Sequence, residues 1–197
     1  MRYRSEHKAE IHRQIVKEAS RRVRAEGLHG AAVSTVMRDS GLTHGGFYKH
    51  FRSKDDLLVE SLRDGFAEIA RILVRAAEQA RPGQEWKAIV KTYLRPEMCD
   101  YPERGCPLPA LAPELARSDP AMKAQIVGEL VKYRDRMLPF MPGRRAADKE
   151  RAFFAIFSTM IGATALSRIL PAQARARVLA SARDFLLRSF DHPWSAS

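Results

Sequence analysis

Apolar residues recur every three or four positions along most of the chain, and no run alternates apolar and polar residues as a strand does. The pattern therefore predicts an all-α protein. Ile11, Ile15, Ala19 and Val23 form one stripe of a helix over about Glu6–Glu26, with Arg13, Lys17, Arg21, Arg22 and Arg24 on its other faces. Gly27 and Gly30 break it. Val33–Ser40 is a second, short helix with Val36 and Met37 turned inward. Its start is weakly marked, because Ala31 and Ala32 stand where a capping side chain belongs. Gly41 ends it, since glycine takes the left-handed conformation that a helix end requires. Thr43 is the expected cap of a very short third helix, its hydroxyl accepting a bond from an unpaired backbone amide. Phe47 and Phe51, four apart, share one face of this segment. Ser53 caps a fourth helix, with Asp55 and Asp56 favourably placed in its first turn. Leu57, Leu58, Leu62, Phe66, Ile69 and Leu73 carry that helix to about Ala80, long enough to link two domains rigidly, and Pro82-Gly83 stops it.

Further along, Trp86, Ile89, Val90 and Tyr93 give the stripe of a helix over about Glu85–Leu94. The following stretch, Arg95 to Pro109, holds Pro96, Pro102, Pro107, Pro109, Gly105 and both cysteines. It cannot be one helix and is expected to be irregular. Leu108–Ala116 is a short helix. Asp119 caps the next, with Pro120 at its first position, and Met122, Ile126, Leu130, Tyr133 and Met137 mark its course. Pro139, Pro142 and Gly143 end it. Ala147–Leu170 and Ala172–Phe190 complete nine helices, separated by Pro171, and the tail His192–Ser197 is expected to fray.

Charge changes this picture from a fold to a partner. The net charge is 34 − 23 = +11. Residues 1–55 hold 12 Lys and Arg against 6 Asp and Glu; the other 142 hold 22 against 17. Net positive charge, 12 − 6 = +6 against 22 − 17 = +5, is thus about threefold denser at the N-terminal end, which suits a polyanion; a generally Arg-rich composition explains part of it. No apolar run follows the N-terminus, so no secretory signal is expected. Ala152–Leu166 falls short of the roughly 18 apolar residues of a membrane span. Two cysteines do not make a disulfide framework. A cytoplasmic protein without membrane contact is expected.

The most informative stretch is Leu42-Thr43-His44-Gly45-Gly46-Phe47-Tyr48-Lys49-His50-Phe51, followed by Lys54 and Leu57. Opposite the two phenylalanines stand His44, Gly45, Tyr48 and Lys49, a face with hydrogen-bonding groups, a cation and no bulk at Gly45. Glycine inside a helix costs about 1 kcal/mol relative to alanine. Either packing of the phenylalanines offsets that cost, or a large partner approaches the backbone closely, as a DNA major groove does for a helix-turn-helix. The pattern Leu42-Thr43-x-Gly45-x-Phe47-Tyr48-x-His50-Phe51-x-x-Lys54-x-x-Leu57 resembles the DNA-reading segment of the TetR (tetracycline-repressor) family over roughly residues 8–60. The resemblance implies a three-helix helix-turn-helix head at residues 1–52 and a six-helix effector and dimerisation body at residues 53–197. It further implies that Thr43, Tyr48, His50 and Lys54 hold phosphates; the second helix lacks the family's usual Thr or Ser before it, but Ser34 and Thr35 in its first turn can reach phosphate. His44, Gly45 and Lys49 then face base edges, where Lys49 can donate to guanine, and Gly46 beside them belongs to the same DNA-binding set. A palindromic duplex operator, a homodimer, a small-molecule effector and repression are the family's expectations.

Two further constellations follow. Gly105-Cys106-Pro107 with Ala110-Leu111 and Glu114-Leu115-Ala116 is similar to a segment that borders the effector pocket in one branch of the family, and in some members a thiol there senses oxidants or electrophiles. Cys106 and Cys99 are therefore either inert buried residues or redox triggers; Trp86 and Tyr93 are the aromatic pocket candidates. Ala155, Thr159, Gly162, Ala163 and Leu166, with Phe185 and Leu186 of the last helix, resemble the four-helix dimer interface. No Cys-x-x-Cys, His-x-x-x-His, nucleophile elbow, phosphate loop or dinucleotide fingerprint occurs, so no metal, cofactor or catalytic group is assigned. The rival readings are an all-helical enzyme and a non-specific basic DNA-binding protein.

Overall fold

A computed structural model of the chain describes residues 2–191, with side chains from residue 6 onward. The predicted fraying of His192–Ser197 lies outside the described residues. All regular structure among the described residues is helical. In order come α1 (Arg2–Glu26), α2 (Val33–Asp39), α3 (Lys54–Glu78), α4 (Glu85–Tyr93), α5 (Glu97–Asp100), α6 (Leu108–Leu115), α7 (Pro120–Met137), α8 (Ala146–Arg168) and α9 (Ala172–Ser189). Short 3-10 turns lie at Leu28–Ala31, His44–Lys49, Pro102–Arg104 and Leu138–Phe140. The stretch expected to be irregular, Arg95 to Pro109, thus contains one helical turn, α5, and a 3-10 turn. Pro96 sits at the cap of α5 and Pro102 starts the 3-10 turn, positions where a missing N–H costs nothing.

The chain forms two compact units that do not follow chain order. The first comprises residues up to Ala67 together with Pro102–Glu129; the second comprises Glu68–Tyr101 and the chain from Leu130 on. In the first unit, Ile15, Val16 and Ala19 of α1, Val36 and Met37 of α2, Phe47, Phe51 and Leu57 make one buried cluster, flanked by Ile11, Val33 and Leu42. Gly41 has φ 73°, and with it the Leu42 N–H reaches back to the Met37 carbonyl at 2.8 Å, so the α2 carbonyls are satisfied as the chain reverses. Polar staples set the angle between α1 and α2. Arg22 donates to the Gly30 carbonyl (3.1 Å), to Asp39 Oδ2 (2.7 Å) and to Glu26 Oε2 (2.7 Å). Gln14 donates to the Ser40 carbonyl at 3.1 Å.

Residues 102–129 complete that unit. Arg24, only 1% exposed, donates from Nε to the Ser20 carbonyl (3.1 Å) and from Nη1 to the Gly105 carbonyl (3.2 Å). Arg63 of α3 pairs with Glu129 at 3.0 Å. The predicted caps hold at two helix starts: Ser53 Oγ accepts from Asp56 N–H (3.1 Å), and Asp119 Oδ1 accepts from the N–H groups of Ala121 and Met122. The latter bonds hold the Asp119 carboxyl below its usual range.

The second unit packs α8 against α9, with α4 lying against both and α5 against α8. Phe153, Phe157, Tyr133 and Tyr93 form its aromatic centre, with Phe153 and Phe157 4.4 Å apart. No helix among the described residues is long and apolar enough to cross a membrane.

Phe51→Ala removes a ring that stacks on both Phe47 and His12. It should lower stability by about 3–5 kcal/mol, measurable as a shifted urea midpoint with loss of the first unit's cooperative transition.

Candidate nucleic-acid interface

The reading segment is built on aromatic packing. Phe47 and Phe51 are buried, their rings stacked at 5.3 Å, and His12 of α1 stacks on Phe51 at 4.6 Å. With those rings anchored, the backbone between them turns its other face outward. His44, Gly45, Tyr48 and Lys49 are exposed, Tyr48 at 73%. Tyr48 meets the edge of Phe47 at 5.2 Å, which fixes its ring while leaving the hydroxyl in solvent. The segment winds as a 3-10 helix, His44–Lys49, and not as an α-helix; Gly45-Gly46 gives little helical propensity.

Thr43 stands at the cap position, in extended backbone, but its side chain makes no capping bond. This corrects the expectation from sequence. The Thr43 carbonyl takes the Gly46 N–H instead (3.0 Å), as the tighter 3-10 winding requires, and the side chain is left exposed. A Cβ added at Gly45 would meet nothing within 4 Å. The fold itself therefore sets no steric demand for glycine there.

The other nominated contacts surround this turn. Ser34 (exposed) and Thr35 (half-buried) lie in the first turn of α2, and Lys54 (exposed) begins α3. Gly46 is half-buried, its missing Cβ at ordinary distance from Met37. His50 is half-buried, with Nδ1 out of solvent and without a hydrogen-bond partner. Burial, followed by the nearby His12, Lys8 and Lys49, pushes its pKa below the ordinary 6.5. His50 is thus predominantly neutral at pH 7 and offers a hydrogen bond more than a charge. His12 Nε2 lies 2.7 Å from Glu60 Oε2. That pair, which orients the ring supporting Phe51, was not foreseen; its only sequence signal is a histidine beside the apolar stripe position Ile11.

Residues 15–60, which contain this cluster and its cations, match the model of the bacterial regulatory proteins, tetR family. This head is a TetR-family DNA-binding domain. Beyond it, the TetR fold extends over nearly the whole chain. A TetR transcriptional regulator from Chloroflexus aurantiacus is 24% identical with a TM-score of 0.75, covering 98% of each chain. FadR, a fatty acid degradation regulator from Bacillus halodurans, is 17% identical with a TM-score of 0.67, covering 92% of this chain and 97% of its own. The reduced form of NemR from E. coli is 14% identical with a TM-score of 0.67, covering 94% and 100%. No curated protein matches the chain.

The remaining nominated residues fall in several places. Trp86 is buried against Phe190 (6.1 Å) and Tyr93 against Phe157 (6.3 Å). Both serve the core of the second unit, on one helix but in separate aromatic pairs. Cys99, also in that unit, is buried with Sγ 3.0 Å from Ser167 Oγ. Cys106 is buried too, but in the first unit. On α8, Gly162 and Leu166 are exposed and Ala155 and Thr159 half-buried, while Phe185 of α9 is 61% exposed. Ala163 and Leu186 are buried in the protomer. One position past Gly162 turns a helical residue about 100°, and so Ala163 joins the internal stripe. Phe154 on α8 and Ile169, the residue just after it, are also exposed though not nominated. A cleft of about 430 Å³ in the first unit is lined by Leu28, Lys54, Glu114, Arg117 and others; of the nominated residues it includes Lys54 alone.

Gly45→Ala separates fold from recognition in the TetR head. With open space at the new Cβ, stability should hold or rise by up to about 1 kcal/mol. Affinity for duplex DNA should fall if the groove approaches this backbone. Thermal melting with fluorescence anisotropy measures both, and unchanged affinity would remove Gly45 from the contact face.

Proposed function

We propose that the chain is a one-component transcriptional repressor that binds a palindromic operator as a homodimer and is released by a small-molecule effector held in residues 53–197. The observation that carries the DNA reading is the outward face of His44, Gly45, Tyr48 and Lys49, held by buried Phe47 and Phe51 inside the segment that matches the TetR family. Tyr48, Lys54, Thr43 and His50, with Ser34 and Thr35, supply phosphate-directed donors. Lys49, His44 and the open backbone at Gly45 supply the base-facing part. Phosphate contacts fix position and base contacts give sequence preference.

Dimerisation is supported by large exposed apolar side chains: Phe154 and Leu166 on α8, Ile169 just past its end, and Phe185 on α9. Large apolar side chains left in solvent favour burial by a protein partner, and a two-fold dimer matches a palindrome whose half-sites lie about 34–36 Å apart. Release follows by linkage: an effector that binds better to the protein with misplaced reading turns draws the population away from DNA. A thiol-triggered variant of this scheme gains a NemR-like fold but loses support from the burial of Cys99 and Cys106, because a sensing thiol needs access to its oxidant.

Two outcomes test this reading. Lys54→Ala should weaken binding to every duplex and reduce the slope of log K against log salt by about one, whereas Lys49→Ala should cost roughly 1–3 kcal/mol at a single base position. Competition between DNA from the gene's own upstream region and scrambled DNA reads both, and equal affinity for the two DNAs would favour the non-specific binder. Separately, wild type should sediment as a dimer at micromolar concentration. Gly162→Leu, at an exposed site where an added Cβ meets no other part of the protomer within 4 Å, should weaken that dimer without altering the melting of the protomer. A folded wild-type monomer at that concentration would remove the palindrome with it.

A further inference from the structure

The end of α1 is gripped from a segment far along the chain. Glu114, in α6, places Oε2 3.0 Å from the Leu28 N–H, a partly buried hydrogen bond across 86 residues of sequence. Leu28 opens the turn Leu28–Ala31 that leads into α2, and this turn has no side-chain cap of its own: Gly27 precedes it and makes no capping bond. Gly27 has φ 80°, and a Cβ there would stand 2.6 Å from Glu114 Oε1. The glycine thus serves two needs at once. It lets the backbone leave α1 in the left-handed region, and it leaves the space that the carboxylate occupies. Downstream, α2 starts at Val33 behind Ala32, again without a side-chain cap. The whole connection from α1 to α2 therefore takes its external side-chain acceptor from α6. A second bond, from Arg24 to the Gly105 carbonyl, ties the same stretch of α1 to the same distant segment.

We infer that Glu114 is a positioning residue for DNA reading: its carboxylate caps the Leu28–Ala31 turn and so fixes where α2, and the reading turn packed on it, stand relative to α1. It touches no DNA in this scheme. Regulation of the head then has a defined contact, because any displacement of α6 that withdraws the carboxylate releases the turn before α2. The inference deepens the proposed function and rests on its assignment of the head to DNA.

The sign of the effect separates positioning from plain electrostatics. A carboxylate near a DNA-binding face repels phosphate, so if charge alone mattered, both Glu114→Ala and Glu114→Gln would bind duplex DNA more tightly. Positioning predicts that the two diverge. Glu114→Gln keeps the length and a carbonyl acceptor and should bind at least as well as wild type. Glu114→Ala should lose about tenfold in affinity for the gene's own upstream duplex, with the salt slope unchanged because no phosphate contact is removed. Hydrogen exchange should quicken at the amides of 28–31 and 33–39 in Glu114→Ala and not in Glu114→Gln. If Glu114→Ala does not fold, Glu114→Asp replaces it, keeping the charge but withdrawing the carboxylate by one methylene, with the same expected losses. Exchange at wild-type rates in the folded Ala or Asp variant, or tighter DNA binding by Ala and Gln alike, would overturn the inference. A wild type that does not distinguish its upstream duplex from scrambled DNA would overturn the proposed function instead, and the exchange comparison would still decide whether Glu114 positions α2.

Discussion

The stacking of Phe47 on Phe51, with His12 laid against the second ring, is the interaction on which the reading face depends. The segment His44–Lys49 has no side-chain cap, two adjacent glycines and fewer residues than a self-sustaining helix needs. Its conformation is therefore held from beneath. Two buried rings gain what the backbone lacks, and the residues between them have no choice of face. Tyr48 and Lys49 are directed outward because their neighbours are directed inward. The same arrangement explains why His50 is desolvated: it follows the turn back toward α1, where His12 and Lys8 already stand, and its neutral form is favoured.

Around this centre the polar contacts act as spacers more than as sources of stability. Arg22 joins α1, the following turn and α2 through three acceptors, and a fork of that geometry tolerates little sliding. Exposed ion pairs contribute little energy singly, but the Arg22–Asp39 pair links α1 to α2, on which the reading turn packs. The second unit needs less of this. Its α8 and α9 pack against each other, and Phe154, Leu166, Ile169 and Phe185 are left in solvent.

Local signals were legible in the sequence where a single residue type dictates the backbone. Gly41 turns the chain at positive φ, Ser53 and Asp119 cap the helices they precede, and the Phe47–Phe51 spacing gives the buried side of the reading turn. Signals that depend on partners distant in the chain were not. Thr43 has the chemistry of a cap, yet 3-10 winding gives the Gly46 N–H to the Thr43 carbonyl. Ala163 and Gly162 are alike in size, and only the rotation of α8 about its axis decides which is buried. Arg24 reads as one more surface cation on a basic helix, although the structure closes over it and turns its guanidinium to the Gly105 carbonyl. Nothing local to Glu114 announces that its acceptor role lies on the turn after α1.

That last contact bears on the order in which the protein comes into being. Synthesis delivers the N-terminal residues first, but the compact unit they belong to also includes Pro102–Glu129. While the ribosome is still making the intervening stretch, Arg24 lacks its Gly105 acceptor and the Leu28 amide lacks Glu114. The nascent head leaves the exit tunnel as an incomplete body. Its contacts to Gly105 and Glu114 form only when that later segment has emerged and docked.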